Sequence, residues 1–392
     1  MTRNSQKLHA NPKKVSSRER TIVVGDVIGV NGYRVNRAAL KQRFSEGGYQ
    51  SHETPHFLLF TRSEPPTIVV VHWFAPDAID ADLGDHVIQE LKPLGILAQV
   101  QNFSDIFGAI VGSLFPRDVQ RAWHLYGTNT LRRYQDLLKN PPASSITHST
   151  IDTFARLYHR VYAWLVGDHF LDAGCSFGFL PLLVAQQFPS LSQVVGIDIR
   201  PEPFTTTRLI AEERGLKNVQ FAQSDLLTDD LSTLGYFDTV TALHVLEHFT
   251  EEAMYRVLRN LLRVTTRRLI LAVPYEQGEP EILYGHEQLF SRSKLEAVGQ
   301  WCLQQWEGAS RMWCEECEGG LLLVERRIHQ EMSHGGSSRE QGGHSPQKKC
   351  SWLVLLDGKD FLSSLEKGTC SAESEMLDGT RTRGSAEPPT IA

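Results

Sequence analysis

Downstream of Val166 the chain repeats one unit: a short run of consecutive apolar residues closed by a polar one, then a stretch with apolar positions three and four apart. The runs predict strands at 170–172, 193–198, 218–222, 237–243 and 268–273, with helices after the first strand, at 203–214 and at 251–264. Gly215 stops the second of these helices. Strands this uniformly apolar are buried on both faces, so the expected fold class is α/β, a doubly wound, mostly parallel sheet. The last strands, expected near 301–306 and 319–325, would close it as an antiparallel hairpin at one edge. This unit is assigned to residues 166–327.

Upstream the pattern is different. Between Thr21 and about Val100, apolar runs at 21–24, 56–60 and 67–73 alternate with turn residues and one helical stretch at 83–91, predicting a small α/β module over 21–120 with strands of its own. Residues 123–138 and 151–166 have helical spacing on either side of a Pro141-Pro142-Ala-Ser-Ser break. They define a helical linker, 121–165, expected to cap the pocket of the main sheet. Its aromatic residues (Trp123, Tyr126, Tyr134, Tyr158, Tyr162, Trp164) are expected to be helix core rather than ring-stacking groups. Residues 1–20 hold Arg3, Lys7, Lys13, Lys14, Arg18 and Arg20 against one acid, Glu19, without the apolar core of a secretory signal, and are expected to be a disordered basic arm. Residues 328–392 turn to Gly, Ser, Gln and Glu and are expected to be a mostly disordered tail with one apolar island, 352–356.

Composition narrows the function classes. A net charge of −6 argues against nucleic acid, and no apolar run approaches membrane-spanning length, so no membrane partner is expected. Six scattered cysteines do not make a disulfide framework, which sets a reducing cytoplasm as the expected location. Cys314 and Cys317 have metal spacing but no second pair, and are expected in a hairpin connection.

The chemistry starts at Phe170-Leu-Asp-Ala-Gly-Cys-Ser-Phe-Gly178, where an acid at a strand end precedes a glycine turn and a helix. A pyrophosphate on that turn would be repelled by Asp172, whereas a cation would be attracted. The ammonium of S-adenosylmethionine fits, with Gly174, Ser176 and Gly178 making room for its methionine part. Asp198 ends the second strand where such sheets bind a ribose, with Ile199 beside it. Ser224, Asp225 and Leu226 follow the third strand, Asp225 facing the adenine amino group. NAD is the nearest rival, but Gly174 and Gly178 with Ser176 between them do not match Gly-x-Gly-x-x-Gly.

These residues resemble the class I S-adenosylmethionine-dependent methyltransferases over roughly 166–327, although Ser176 stands where that family usually has its middle glycine. A closer resemblance lies in Cys-Ser-Phe-Gly-Phe-Leu-Pro-Leu-Leu (175–183), Leu-His-Val-Leu-Glu-His (243–248), Ala-Val-Pro-Tyr-Glu (272–276) with Tyr-Gly-His (284–286), and Gly-Gly-Leu-Leu-Leu-Val-Glu-Arg (319–326). Together with Ala-Trp-His-Leu-Tyr (122–126), these are similar to the mycofactocin oligosaccharide methyltransferases. That likeness implies O-methylation of a glucose hydroxyl on an oligosaccharide attached to a peptide-derived redox cofactor. A small-molecule quinone or phenol, methylated on oxygen or carbon, is the alternative acceptor, and oligomeric state stays open.

The fourth strand runs into His244-Val-Leu-Glu-His248, opposite the methyl donor in this sheet geometry. An alcohol needs a base, so His244 and His248 are the catalytic candidates, with Glu247 between them. His286 and Tyr284 follow the fifth strand as further candidates for binding the acceptor. His-x-x-Glu-His is also a zinc-peptidase signature, but that motif needs both histidines on one helix, and here the first ends a strand. The segment is also similar to the Glu-x-x-Glu-His metal site of small-RNA ribose 2′-O-methyltransferases, with His244 replacing the first acid. That replacement disfavours Mg²⁺, and the metal question stays open.

Overall fold

The computed structural model describes residues 20–24, 27–32, 36–64, 66–97, 100–140, 149–281 and 284–326. The basic arm to residue 19, the 141–148 break, and the tail with its 352–356 island lie outside the described residues.

The first sheet has β1 (Arg20–Val24), β2 (Val27–Asn31), β3 (Gln50–Glu53), β4 (Phe57–Ser63) and β5 (Pro66–His72), in the order β1-β2-β5-β4-β3. Only β2 and β5 pair in parallel. Leu58, Phe60, Val69 and Val71 face Leu40 of α1 (Arg37–Glu46), while Phe57, Leu59 and Val70 join the larger core on the other face. The α2 helix (Leu83–Leu91) coincides with the predicted helical stretch, and α3 (Val100–Gly112) crosses β2 so closely that a Cβ on Gly29 would lie 2.1 Å from the Ala109 carbonyl oxygen. The sequence reading missed β2, α1, β3 and α3. For α1 the reason is physical: it buries only Leu40, so it has no apolar stripe to detect.

Two long helices follow, α4 (Val119–Lys139) and α5 (Thr150–Trp164). Trp123, Tyr126, Tyr134 and Tyr158 are buried, Tyr162 and Trp164 are half-buried against the same core, and the Tyr134 and Tyr158 rings pack 5.1 Å apart. Packing is therefore their role, as the helical spacing implied. The start of α5 is held by acids of the α2 region. Asp85 Oδ2 accepts from Thr150 N at 2.8 Å, and Asp82 Oδ1 accepts from Ile151 N at 2.9 Å. One continuous apolar core links the first sheet, these helices and residues such as Phe170 and Val194 of the second sheet.

The second sheet is the expected one. It comprises β6 (His169–Ala173), β7 (Gln193–Asp198), β8 (Val219–Gln223), β9 (Phe237–Leu243), β10 (Thr265–Val273), β11 (Ala309–Glu316) and β12 (Gly320–Arg326), ordered β11-β12-β10-β9-β6-β7-β8. The strands β8, β7, β6, β9 and β10 are parallel, and β12 and β11 form the antiparallel edge. The intervening helices are α6 (Phe179–Gln187), α7 (Phe204–Glu213), α8 (Glu251–Val264) and α9 (Arg292–Gln305). Strand order reverses between β6 and β9, which opens a crevice at their C-terminal ends.

One predicted strand is corrected. Residues 301–305 are the last turn of α9 and Trp306 follows it; the strand before β12 is β11. Leu295, Val298 and Cys302 are buried at helical spacing behind the Ser291 cap, so Trp-Cys-Leu is the end of an amphipathic stripe. Cys314 lies on β11, and Cys317 sits in the turn between β11 and β12.

Candidate active site

The turn after β6 is tightly built. Gly174, Ser176 and Gly178 all have positive φ, at 75°, 51° and 81°. A Cβ on Gly174 would come within 2.5 Å of Val245 Cγ2, so glycine is required there both for conformation and for the close approach of the loop after β9. The N–H groups of Gly174 and Cys175 both donate to Ile197 O, at 2.8 and 2.9 Å, which fastens the turn across β7.

Asp172 is buried beneath this turn and accepts a 2.7 Å hydrogen bond from Thr241 Oγ1 of β9. Burial pushes its pKa up to about 7. The Thr241 bond opposes the rise and the nearby Asp198 charge adds to it. The crevice thus contains an acid poised to ionise when a cation arrives.

Asp198, also buried, accepts from Ser176 N at 2.8 Å through Oδ2 and from Arg200 N at 3.0 Å through Oδ1. It therefore joins the glycine turn to the end of β7, a structural task that the sequence reading did not foresee. Ile199 beside it is 57% exposed, an apolar side chain left open at the rim. Ser224 N donates to Asp198 O at 2.9 Å, which brings the loop after β8 alongside. In that loop Asp225 Oδ1 accepts from Leu227 N at 2.8 Å, and Leu226 is buried. Asp172, Gly174, Ser176, Gly178, Asp198, Ile199, Ser224, Asp225 and Leu226 thus all lie at or just beyond the C-terminal ends of β6, β7 and β8.

The other side of the crevice is built by the segments after β9 and β10. His244 turns the chain with φ 54° and donates its N–H to Ala272 O at 2.9 Å. Its ring is buried 5.1 Å from Phe154 of α5. Residues Leu246–His248 make one 3₁₀ turn, after which Thr250 caps α8. Because His244 follows a strand and His248 precedes the helix, the peptidase arrangement does not form.

Glu247 is fully buried. His244 Nδ1 stands 3.4 Å from Oε1. Burial alone would raise its pKa, but the His244 contact and the charges of His244 and His248 outweigh burial and hold the carboxyl below its usual range. His248 and His286 sit with ring centroids 5.1 Å apart. His248 Nδ1 faces Gly285 O at 3.2 Å, and His286 Nδ1 faces Glu276 Oε1 at 2.9 Å. Glu247, His248 and His286 each offer a ligand atom, all within 4.8 Å of one another.

The two loops are tied together. Glu287 N donates to Glu247 O at 2.8 Å, and the Gln288 side chain donates to Leu246 O and Phe249 O at 2.9 and 2.7 Å. Tyr284 lies with its ring 5.5 Å from that of His286. Glu276 and Gln288 were not singled out from the sequence. Glu276 ends the quoted Ala-Val-Pro-Tyr-Glu motif, but nothing in its spacing announces His286 as its partner.

Residues 170–268 match a family profile described as Methyltransferase domain. The chain is 29% identical over 89 residues to the ubiquinone biosynthesis O-methyltransferase of Acinetobacter baumannii (strain AYE), covering 23% of this chain and 36% of that protein. It is 34% identical over 122 residues to the magnesium-protoporphyrin O-methyltransferase of Synechocystis sp. (strain ATCC 27184 / PCC 6803 / Kazusa), covering 29% and 49%. The chain thus spans less than half the length of these curated relatives. Among solved structures, the magnesium protoporphyrin IX methyltransferase of Synechocystis PCC 6803 with bound SAH is 19% identical with a TM-score of 0.36, covering 51% of this chain and 96% of that one. An O-methyltransferase family protein from Burkholderia thailandensis is 15% identical with a TM-score of 0.40, covering 65% and 72%. No helix among the described residues is long and apolar enough to cross a membrane.

Proposed function

We propose that this chain is an S-adenosylmethionine-dependent O-methyltransferase. The observation behind this reading is the pairing, across one crevice, of buried acids at the ends of β6 and β7 with a histidine–glutamate group at the ends of β9 and β10. Asp172 would receive the ammonium, Asp198 the ribose hydroxyls and Asp225 the adenine amino group, each a donor matched to a carboxylate. The exposed Ile199 and the Leu226 loop would hold the adenine ring between apolar surfaces. The match of residues 170–268 to a methyltransferase profile supports the same cofactor.

S-adenosylmethionine supplies an electrophilic methyl group on a sulfonium. The residues supply position and a base. His244 is the base of choice: the Glu247 carboxylate 3.4 Å from Nδ1 favours the Nδ1-protonated tautomer, making Nε2 the basic nitrogen. His248, His286 and Tyr284 line the acceptor side, and α5 closes over the crevice through Phe154.

The acceptor we favour is a sugar hydroxyl, specifically that of a glucose of the mycofactocin oligosaccharide. This rests on the motif resemblance and on an acceptor side rich in hydrogen-bonding groups, which suits a polyol. The second reading is a quinone or phenol, supported by the O-methyltransferase names of the curated relatives. Incubating the protein with isotopically labelled methyl donor and either glucan or catechol acceptors separates the two. Label in the glucan supports the sugar reading, label only in the catechol replaces it, and no label in any acceptor together with no S-adenosylhomocysteine binding refutes the methyltransferase assignment.

A further inference from the structure

We infer that His56, His86 and Glu90 form a binding site for a divalent cation of the zinc class, one that ties α2 to the head of β4. His86 and Glu90 are four residues apart on α2 and so share one helix face, while His56 immediately precedes β4. One ligand atom from each lies within 4.8 Å of the other two. Both imidazoles converge on the same oxygen, His56 Nδ1 at 2.5 Å and His86 Nδ1 at 3.8 Å from Glu90 Oε1. A hydrogen bond explains the first approach and is ruled out by distance for the second. A cation at about 2.0–2.2 Å from each donor spaces tetrahedral ligands about 3.3–3.6 Å apart, so His56 has to recede by about an ångström and His86 to advance by less.

Three elements hold the donors. Glu90 Oε2 accepts from His56 N at 2.9 Å, which fixes the carboxylate and leaves Oε1 facing the two rings. Trp73 N donates to His56 O at 3.4 Å, anchoring it to the end of β5. The buried Phe74 ring stacks on His56 with centroids 5.1 Å apart and lies 5.2 Å from His86, so the two imidazoles, 4.4 Å apart, stand against one apolar wall. The His56 and His86 side chains are 43% and 37% exposed above a Glu90 that is 11% exposed, which lets an ion enter from solvent. Two imidazole nitrogens and one carboxylate oxygen suit zinc-like ions, whereas Mg²⁺ and Ca²⁺ prefer all-oxygen shells. Water takes the remaining positions.

The ion's role follows from its place. Asp85 lies on α2 and Asp82 just before it, and both accept from the start of α5, whose Phe154 packs on His244. A cation joining α2 to β4 therefore stiffens the support on which α5 rests, without touching cofactor or acceptor. Such a site would exist whether or not the crevice binds S-adenosylmethionine.

Glu247, His248 and His286 also offer ligand atoms to one point, so the test removes that group first with His286→Asn. Untagged, chelator-treated His286→Asn protein is titrated with CoCl₂ by calorimetry and visible absorption, alone and with His56→Gln, His86→Gln or Glu90→Gln added. Cooperative thermal melting followed by circular dichroism is the folding check on each. The expectation is a cobalt d–d spectrum in the His286→Asn protein. Changes behind a ligand cost metal sites about 10–100-fold, so removing His56, His86 or Glu90 should lower cobalt affinity by at least about 100-fold. Saturating ZnCl₂ should raise the melting temperature of the His286→Asn protein and leave the three double variants unshifted. Absence of the cobalt spectrum in folded His286→Asn, affinity unchanged by the added substitutions, or an equal zinc-induced rise in all four proteins overturns the inference. If His286→Asn does not fold, the three substitutions are made in the wild type, and a cobalt stoichiometry that none of them lowers overturns it equally.

Discussion

Asp172 gives the sharpest test of the electrostatic reading. In the free protein its carboxyl is pushed up to about 7 by burial, so at pH 6 only about a tenth of molecules hold it ionised, against about three quarters at pH 7.5. If the ammonium of the ligand binds only the carboxylate, affinity rises about eightfold between those pH values, or about 1.2 kcal/mol, and then levels off. Calorimetry with S-adenosylhomocysteine, whose amine is charged throughout this range, measures it. Release of close to one proton per binding event is expected at pH 6. Asp172→Asn should bind more weakly with a flat profile, since its amide cannot ionise. A flat profile in the wild type, without proton release, refutes the assignment of Asp172 to the ammonium.

The same group sets a stability trend of defined sign. Its folded pKa lies above the unfolded value of 3.8, so its contribution is fully present below pH 3.8 and is lost as pH rises through 7. Three pH units correspond to roughly 4 kcal/mol at most. The ligand-free Asp172→Asn protein should therefore melt at a higher temperature than wild type at pH 8, with the gap closing toward pH 4. If Asp172→Asn instead melts lower at pH 8, the carboxylate stabilises the empty crevice and the sign assigned here is wrong.

The remaining expectations concern single residues. Gly174→Ala forces a Cβ against Val245 at φ 75° and should cost about 1–3 kcal/mol in denaturant unfolding; an unchanged midpoint would show that the turn can relax. Asp198→Ala should weaken cofactor binding by about 1–3 kcal/mol, and because Ser176 N and Arg200 N lose their acceptor it should also lower the melting temperature. Unchanged calorimetric affinity removes Asp198 from the ribose. His244→Ala should leave cofactor affinity within about threefold while turnover falls at least about 100-fold; normal turnover at saturating cofactor removes it as the base.

The sheet was legible because parallel strands are buried on both faces and therefore appear as unbroken apolar runs. β7, β9 and α8 have the bounds that the pattern predicted. The misplaced strand at 301–306 failed for the complementary reason. Trp-Cys-Leu looks like a strand in isolation, and only Leu295 and Val298 upstream make it the end of a helix. The mostly exposed α1 and the four-residue β3, exposed throughout, gave no pattern at all.

The two halves of the crevice differ in the same way. Asp172, Asp198 and Asp225 each terminate their own strand or open the loop after it, so one-dimensional spacing already implies that they line one rim. His286 reaches Glu247 and His248 only because β10 lies beside β9 and because Gln288 and Glu287 fasten the later loop onto the carbonyls of Leu246, Phe249 and Glu247. No local period encodes that meeting. A buried carboxylate beside the imidazoles of His244, His248 and His286 is a property of the assembled loops. It follows that substitutions at Gln288, which touches neither cofactor nor acceptor in this reading, should disturb the histidine–glutamate group while leaving Asp172 and Asp198 in place. Gln288→Ala is therefore expected to reduce turnover while S-adenosylhomocysteine binding is retained. Loss of cofactor binding with turnover unchanged at saturating cofactor would mean that the two halves of the crevice are not separable in this way.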